Sequence, residues 1–196
     1  MLPPPQKYPS KSHPPALFVV AILSAAPAVS EQQVAENDVS VRLADLRITL
    51  PSKPEKDTVK VGGEDGEEPS WQHRLLVHDR NGSIIVWFQD SPNATDPQLA
   101  LKAAQETVVR RAGGDVTEEY AIESDDNPGR HFIVAIHAND GEFRVAYYFF
   151  AGRFYQIMAV GTAEFTRSDA VNKMFASVRF GEEQEDSAAA GAPGRE

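Results

Sequence analysis

The sequence predicts an α+β fold in which an antiparallel β-sheet is flanked by helices. Two turns favour the sheet, because Asn81-Gly82 and Asp140-Gly141 each separate two β-rich runs, and such pairs are typical of hairpins. A third observation favours the helices, since two segments carry apolar side chains at helical spacing. A chain of 196 residues suits one such domain with extensions at its ends.

The first 30 residues have the order of a secretory signal peptide. Lys7 and Lys11 precede an apolar run at residues 16–29, and small residues surround its end. The run is fourteen residues long, whereas a membrane-spanning helix needs roughly 20. We therefore expect a signal peptide at residues 1–30, a linker at residues 31–38, and a periplasmic or secreted mature protein without a stable membrane span. An uncleaved anchor or a buried helix is the alternative.

The domain is expected to begin with a strand that contains an irregularity. Its apolar residues alternate, the alternation breaks once, and Pro51 and Pro54 end the strand. These apolar residues are Val41, Leu43, Leu46, Ile48 and Leu50. An acidic loop follows at residues 62–70, and the β-rich runs 71–79 and 82–90 then form the first predicted hairpin.

Two helices are predicted from their caps and their spacing. Asp96 suits the N-cap of the first helix, Pro97 suits its first position, and Gly113-Gly114 suit its end. Ser168 suits the N-cap of the second helix. The apolar faces are Leu101, Ala104 and Val108 in the first helix, and Val171, Met174, Phe175 and Val178 in the second.

An apolar stretch at residues 143–161 is long enough to raise the question of a membrane span. Gly152-Arg153 lie at its centre, and an arginine at mid-bilayer costs about 2.5–3.5 kcal/mol on insertion scales. The stretch is therefore predicted to be two antiparallel strands joined by a tight turn. Because the first strand is apolar on both faces, both faces need a cover of helices, or of a helix and an N-terminal hairpin.

The net charge of −10 limits the partners that the protein can bind. An acidic surface repels nucleic-acid phosphates and anionic lipid headgroups, so we expect neither as a partner. Residues 182–196 are acidic and then rich in Ala, Gly and Pro, with no large apolar residue to bury. We therefore expect a disordered acidic tail there, and a folded domain at residues 39–181.

Three short motifs follow one another along this domain. They are Pro51 with Pro54 after the first strand, "NPGRHF" at residues 127–132 and "GRFYQI" at residues 152–157. Their order resembles the PsbP/DcrB-like group of exported bacterial proteins, and the resemblance covers residues 39–180. It implies the α/β/α sandwich of PsbP, the extrinsic photosystem II subunit, and no catalytic residues. His131 departs from the group, which usually has a glutamate at that position.

The sequence contains no motif that indicates catalysis. It has no cysteine, no Gly-rich phosphate loop, and neither the HExxH nor the GxSxG pattern. His73 and His78 are five positions apart, so a regular strand would point them to opposite faces. His131 and His137 are six positions apart on one run, which is about 20 Å and too far for one ion. We therefore expect no metal, no cofactor and no enzymatic activity.

Trp71, Trp87 and Phe88 are the candidate partner-binding residues. Large aromatic residues are usually buried, but Trp87 and Phe88 are adjacent on one strand and face opposite sides, so one of them is a candidate for exposure. The sequence favours a non-enzymatic exported binding or assembly module of the bacterial cell envelope, whose partner is a protein or another envelope component. The alternative is a small-ligand carrier with a pocket between the sheet and a helix.

The signal-peptide hypothesis predicts the first residue of the mature protein. If residues 1–30 are removed on export, N-terminal sequencing of the periplasmic or secreted protein will begin near Glu31. Exported protein that still begins at Met1 would show that the apolar run is retained as an anchor.

Overall fold

The computed structural model describes residues 38–61, 70–91, 96–122 and 127–181. The predicted signal peptide and acidic tail lie outside these residues, as do residues 31–37 of the predicted linker and most of the acidic loop. Within the described residues, 59% are in strands and 22% in helices, and the ten strands form two antiparallel sheets.

Strands precede and follow a single long helix along the described part of the chain. The elements are β1 (Val39–Leu43), β2 (Leu46–Leu50), β3 (Glu55–Val61), β4 (Ser70–Asp79), β5 (Gly82–Asp90), α1 (Pro97–Ala112), β6 (Gly114–Ile122), β7 (Gly129–Ile136), β8 (Gly141–Phe150), β9 (Arg153–Thr162), α2 (Ala163–Thr166), α3 (Asp169–Ala176) and β10 (Arg179–Phe180).

The larger sheet has seven strands in the order β3-β4-β5-β9-β8-β7-β6. The three hairpins predicted from the sequence are confirmed: β4 pairs with β5, β7 with β8, and β8 with β9. The last turn needs two residues with positive φ, Ala151 at 49° and Gly152 at 72°. At the β6 edge a bulge between Val116 and Glu118 interrupts the ladder.

The smaller sheet has three strands in the order β1-β2-β10. Residues 39–50, predicted as one strand with an irregularity, are instead two strands that reverse at Ala44-Asp45, where Ala44 has a φ of 53°. The third strand comes from the far end of the domain, since Arg179 pairs with Arg47 and Phe180 with Leu46.

The predicted α+β fold, with an antiparallel sheet flanked by helices as in the PsbP-like α/β/α sandwich, is wrong. The chain is mostly β, and only three helices occur in its described part. Helix α1 packs on one face of the seven-stranded sheet against β6, β7 and β8. The other face is covered largely by the smaller sheet, because Leu46, Ile48 and Leu50 alternate with period two and are all buried there.

Two apolar layers result, one on each face of the larger sheet. The layer under α1 contains Trp87, Leu101, Ala104, Val108, Phe132, Val134, Val145, Tyr147, Phe149, Phe154 and Met158. The layer between the sheets contains Leu46, Ile48, Leu50, Leu75, Val77, Ile84, Val86, Ala146, Tyr155, Ile157, Ala159, Val171 and Met174. Each fully buried large side chain contributes about 1.5–3 kcal/mol, so the two layers supply most of the stabilisation.

Helix α1 has the caps that the sequence predicts. The Asp96 carboxylate accepts a hydrogen bond from the Leu99 amide at 3.0 Å, and Gly113 ends the helix with a φ of 61°. The predicted face, Leu101, Ala104 and Val108, is buried. Among the described residues, no helix has both the length and the apolar character needed to cross a membrane.

Burial on both faces of β8 makes the apolar positions of this strand intolerant of an unpaired charge. Phe149 lies under the α1 face with its ring 5.2 Å from that of Phe154. Phe149→Asp places an unpaired carboxylate there, which costs several kcal/mol against a total of roughly 5–15. We expect this variant to lose its cooperative thermal unfolding transition. Leu99→Asp, a change of an exposed residue in the first turn of α1, is the control and should unfold like the wild type.

Equal melting temperatures for Phe149→Asp and the wild type would show that the α1 face of β8 is not a sealed core.

Candidate partner-binding surface

The three candidate aromatic residues have different environments. Trp71 is exposed over 54% of its surface, whereas Trp87 is exposed over only 4%. Trp87 packs against Phe154 in the layer under α1, with ring centroids 5.6 Å apart, so it presents no surface to a partner. Phe88 faces the opposite side of the sheet and is half-buried. The structure therefore brings Trp71 and Phe88 to one face and excludes Trp87 from it.

Trp71 and Phe88 belong to a surface that also includes His73. Trp71 and His73 are two positions apart on β4, so they point to the same face, and His73 lies directly opposite Phe88 on β5. The His73 and Phe88 rings are stacked, with centroids 5.0 Å apart and planes inclined by 21°. We call Trp71, His73 and Phe88 the aromatic strip.

The aromatic strip is bordered by basic side chains. Lys60 lies directly opposite Trp71 on β3, and Lys56 lies on the same face of that edge strand. In the part of the chain that the structure describes, neither lysine forms an ion pair. On the other side the Arg153 guanidinium lies 5.6 Å from the centre of the Phe88 ring.

Arg153 is held in place by two carboxylates. Its Nη1 donates to Asp45 at 2.5 Å, and its Nε donates to Asp90 at 3.0 Å. The hydrogen bonds to Asp45 and Asp90 raise the pKa of Arg153 above its usual value. Arg153 is thus held in position beside the strip, whereas Lys56 and Lys60 have no ion-pair partner among the described residues.

The four histidines of the domain do not converge. His73 lies near Thr58, His78 contacts Ser83 at 3.1 Å, and His137 contacts Asp115 at 2.8 Å. No group of three or more metal-ligating side chains occurs within residues 38–61, 70–91, 96–122 and 127–181.

A buried ionic network joins β8 to the helices after β9, and sequence reasoning missed it. Glu142 is buried, and both of its oxygens accept hydrogen bonds from Arg167, the Nη2 contact being 2.8 Å. The Thr166 hydroxyl also donates to Glu142, and Glu118 of β6 lies 3.2 Å from Arg167. Glu142 is thus compensated by at least two donors, as a buried carboxylate requires.

Arg144 continues this network to His131. Its Nε donates to His131 Nε2 at 3.2 Å, its Nη1 donates to Asn172, and its guanidinium lies 4.6 Å from the centre of the Phe175 ring. The His131 ring packs between Tyr120 and Phe175. The sequence does carry a signal for this ionic network, since the charged residues Glu142 and Arg144 lie two positions apart in an otherwise apolar strand.

The network favours an anchoring role over catalysis. Burial, followed by the Arg144 charge, lowers the pKa of His131 to about 4, so the imidazole is neutral at pH 7. Since Nε2 accepts from Arg144, the proton lies on Nδ1, which has no partner among the described residues. A weak base that faces two aromatic rings is poorly suited to take a proton from a substrate.

Comparisons with models of protein families and with curated proteins give no match for this chain.

The lowered pKa of His131 makes stability depend on pH in one direction. The unfolded state, with a pKa near 6.5, binds more protons than the folded state between about pH 6.5 and 4. The stabilisation from neutral His131 is therefore complete above pH 6.5 and is lost as the pH falls to about 4. We expect the wild type to lose about 2–3 kcal/mol more of its free energy of unfolding over this range than His131→Gln, measured by urea denaturation.

An NMR titration of the imidazole protons provides a direct check. A His131 resonance that titrates near pH 6.5, together with parallel stability curves for wild type and His131→Gln, would contradict the prediction.

Proposed function

We propose that this protein is a non-enzymatic exported module of the bacterial cell envelope that acts by binding a protein partner through the aromatic strip. The observation that carries the proposal is the exposure of Trp71 beside His73 and Phe88, on a part of the sheet that the smaller sheet leaves open. Exposed aromatic side chains in a cluster are typical of interfaces, where tryptophan is among the most frequent hot-spot residues.

The charge around the strip supports a proposal for the chemistry of the partner. The chain carries a net charge of −10, yet Lys56 and Lys60 border Trp71 without ion pairs in the described residues. A partner that presents an apolar side chain flanked by carboxylates complements this arrangement. The opposite charges would guide the encounter, while burial of Trp71 would supply most of the affinity.

The proposal of an envelope role also rests on the sequence motifs. Pro51 and Pro54 lie between β2 and β3, and residues 152–157 comprise the last residue of the turn before β9 and the first half of that strand. We propose on these motifs that the chain is related to the PsbP/DcrB-like group. This support comes from the motifs alone, because the sandwich that the resemblance implied is not the arrangement found.

A photo-crosslinking experiment tests the surface while the partner is still unidentified. Benzoylphenylalanine replaces Trp71 in one version of the protein and Leu99 in a control version, because Leu99 is similarly exposed, at 66%, on α1 over the opposite face. Each version is irradiated in the native envelope. We expect one protein to crosslink at position 71 and not at position 99.

The affinity of the identified partner then tests the chemistry. We expect Trp71→Ala to weaken binding by about thirtyfold or more, as the loss of a hot spot of about 2 kcal/mol does, and Leu99→Ala to leave it unchanged. Lys56→Glu combined with Lys60→Glu should lower the association rate and reduce its salt dependence. Equal affinity of Trp71→Ala and the wild type would overturn the proposed surface.

A further inference from the structure

Three arginines lie in a row across the smaller sheet. Arg42 of β1 is directly opposite Arg47 of β2, and Arg47 is directly opposite Arg179 of β10. Residues that lie directly opposite one another share a face of the sheet. Leu46 and Ile48 are buried against the larger sheet, so Arg47 between them points outward, and the arginines on either side of it do as well. We call Arg42, Arg47 and Arg179 the arginine row.

The arginine row brings like charges together. Directly opposite like charges repel in a sheet, and the row contains two such pairs in a chain whose net charge is −10. Arg42 Nε donates to the Ala44 carbonyl at 2.9 Å, and Arg179 Nη1 donates to the Ala176 carbonyl, also at 2.9 Å. Within the described residues neither of these two arginines forms an ion pair. Carboxylates placed over the row would therefore relieve the repulsion.

The described part of the chain ends beside the arginine row. The Gly181 amide, two residues after Arg179, donates to the Asp45 carbonyl at 3.2 Å in the turn that joins β1 to β2. The Asp45 carboxylate accepts a hydrogen bond from Arg153, so this turn already uses its own acidic group. The residues that follow Gly181 thus start about 7 Å along the strand from the row.

The sequence after Gly181 has the complementary charge. Four of its first five residues are acidic, namely Glu182, Glu183, Glu185 and Asp186. Five residues span at most about 17 Å, whereas the arginine row crosses two gaps between strands, or roughly 10 Å. The acidic residues can therefore cross the whole row. The lysines that border the aromatic strip are farther away, since Phe180 packs on Tyr155 of β9 and the lysines lie three strands beyond β9, on β3.

We propose that these four acidic residues dock on the arginine row and hold the start of the acidic tail against the outer face of the smaller sheet. Guanidinium groups bind carboxylates with two parallel hydrogen bonds, and the link through Gly181 keeps the effective concentration of the carboxylates high. The tail has no large apolar residue, so the contact is electrostatic and agrees with the expected absence of a folded structure in the tail. The row is separate from the aromatic strip, so this inference does not depend on the proposed function.

Neutralising the acidic residues in the full chain tests this contact. The neutral-tail variant carries Glu182→Gln, Glu183→Gln, Glu185→Gln and Asp186→Asn. The control variant has the same net charge, because it carries Glu64→Gln, Asp65→Asn, Glu67→Gln and Glu68→Gln in the acidic loop. The readout is the Nε–H resonances of Arg42 and Arg179 in NMR spectra. We expect the neutral-tail variant to shift both resonances and the control variant to leave them at their wild-type positions.

Salt separates an electrostatic contact from any other effect of the substitutions. Raising sodium chloride from 0.1 M to 1 M shortens the Debye length from about 10 Å to about 3 Å. We expect the wild-type resonances to move toward those of the neutral-tail variant, which should itself change little. Resonances that are the same in wild type and the neutral-tail variant, or shifts of equal size in the control variant, would refute the docking.

A spin label then shows which basic surface the tail occupies. The chain has no cysteine, so Ala188→Cys provides a single attachment site just beyond the acidic residues. We expect the label to broaden the Arg42 amide resonance more strongly with the wild-type tail than with the neutral tail, which gives the effect of the tether alone. Stronger broadening at Lys56 and Lys60 than at Arg42 would place the tail at the border of the aromatic strip and overturn the proposal.

Discussion

The fold depends on one constraint: the central strands β8 and β9 carry large apolar side chains on both faces. Tyr147 is completely buried under α1, and Tyr155 is completely buried against the smaller sheet. An antiparallel sheet that is apolar on both faces must pack against another element on each face. In this chain one face packs against helix α1 and the other against the small sheet. Neither cover extends over all seven strands. The aromatic strip lies where the small sheet leaves the face open.

The ionic network has a different task from the apolar layers. Glu142 and Arg144 point from β8 toward α2 and α3, and each is matched by several donors or acceptors there. A buried pair of this kind contributes little net stability compared with apolar residues of the same size. Removing Arg167 is nonetheless costly, because the Glu142 charge is left unmatched in the interior; the half-exposed Arg167 side chain keeps this cost below the roughly 3–5 kcal/mol of a fully buried pair. The network therefore fixes the position of the helices more than it strengthens the domain.

Local signals in the sequence predicted the local structure well. Asp96, Pro97 and Gly113 define α1 because caps act within a few residues, and Asn81-Gly82 defines a hairpin for the same reason. The turn at Ala44-Asp45 has no glycine or asparagine, so the reversal into β2 was missed. There the packing of Leu46, Ile48 and Leu50 overrides a weak local preference.

The sites required information that no single segment contains. Alternation along β5 separates Trp87 from Phe88, but it does not say which face is covered, so the exposed residue stayed undetermined. The ionic network likewise joins Glu118 of β6, Glu142 of β8 and Arg167, which comes after α2, and the fold brings these residues together. The α/β/α prediction failed for a related reason, since an apolar strand shows that a cover is needed and does not show whether the cover is a helix or a sheet.

The pairing of β10 with β2 has a consequence for how the domain folds. Phe180 and Leu46 are 134 positions apart, so the smaller sheet joins the two ends of the domain. Bringing the two ends of so long a loop together has a high entropy cost. Contacts between residues that are far apart in the sequence are also associated with low folding rates. During synthesis the ribosome must release residue 180 before the last strand can dock, and Phe180 packs on Tyr148, Phe150 and Tyr155 only then. Until β10 docks, the nascent chain exposes the aromatic residues that Phe180 later covers, and chaperones can bind this exposed surface.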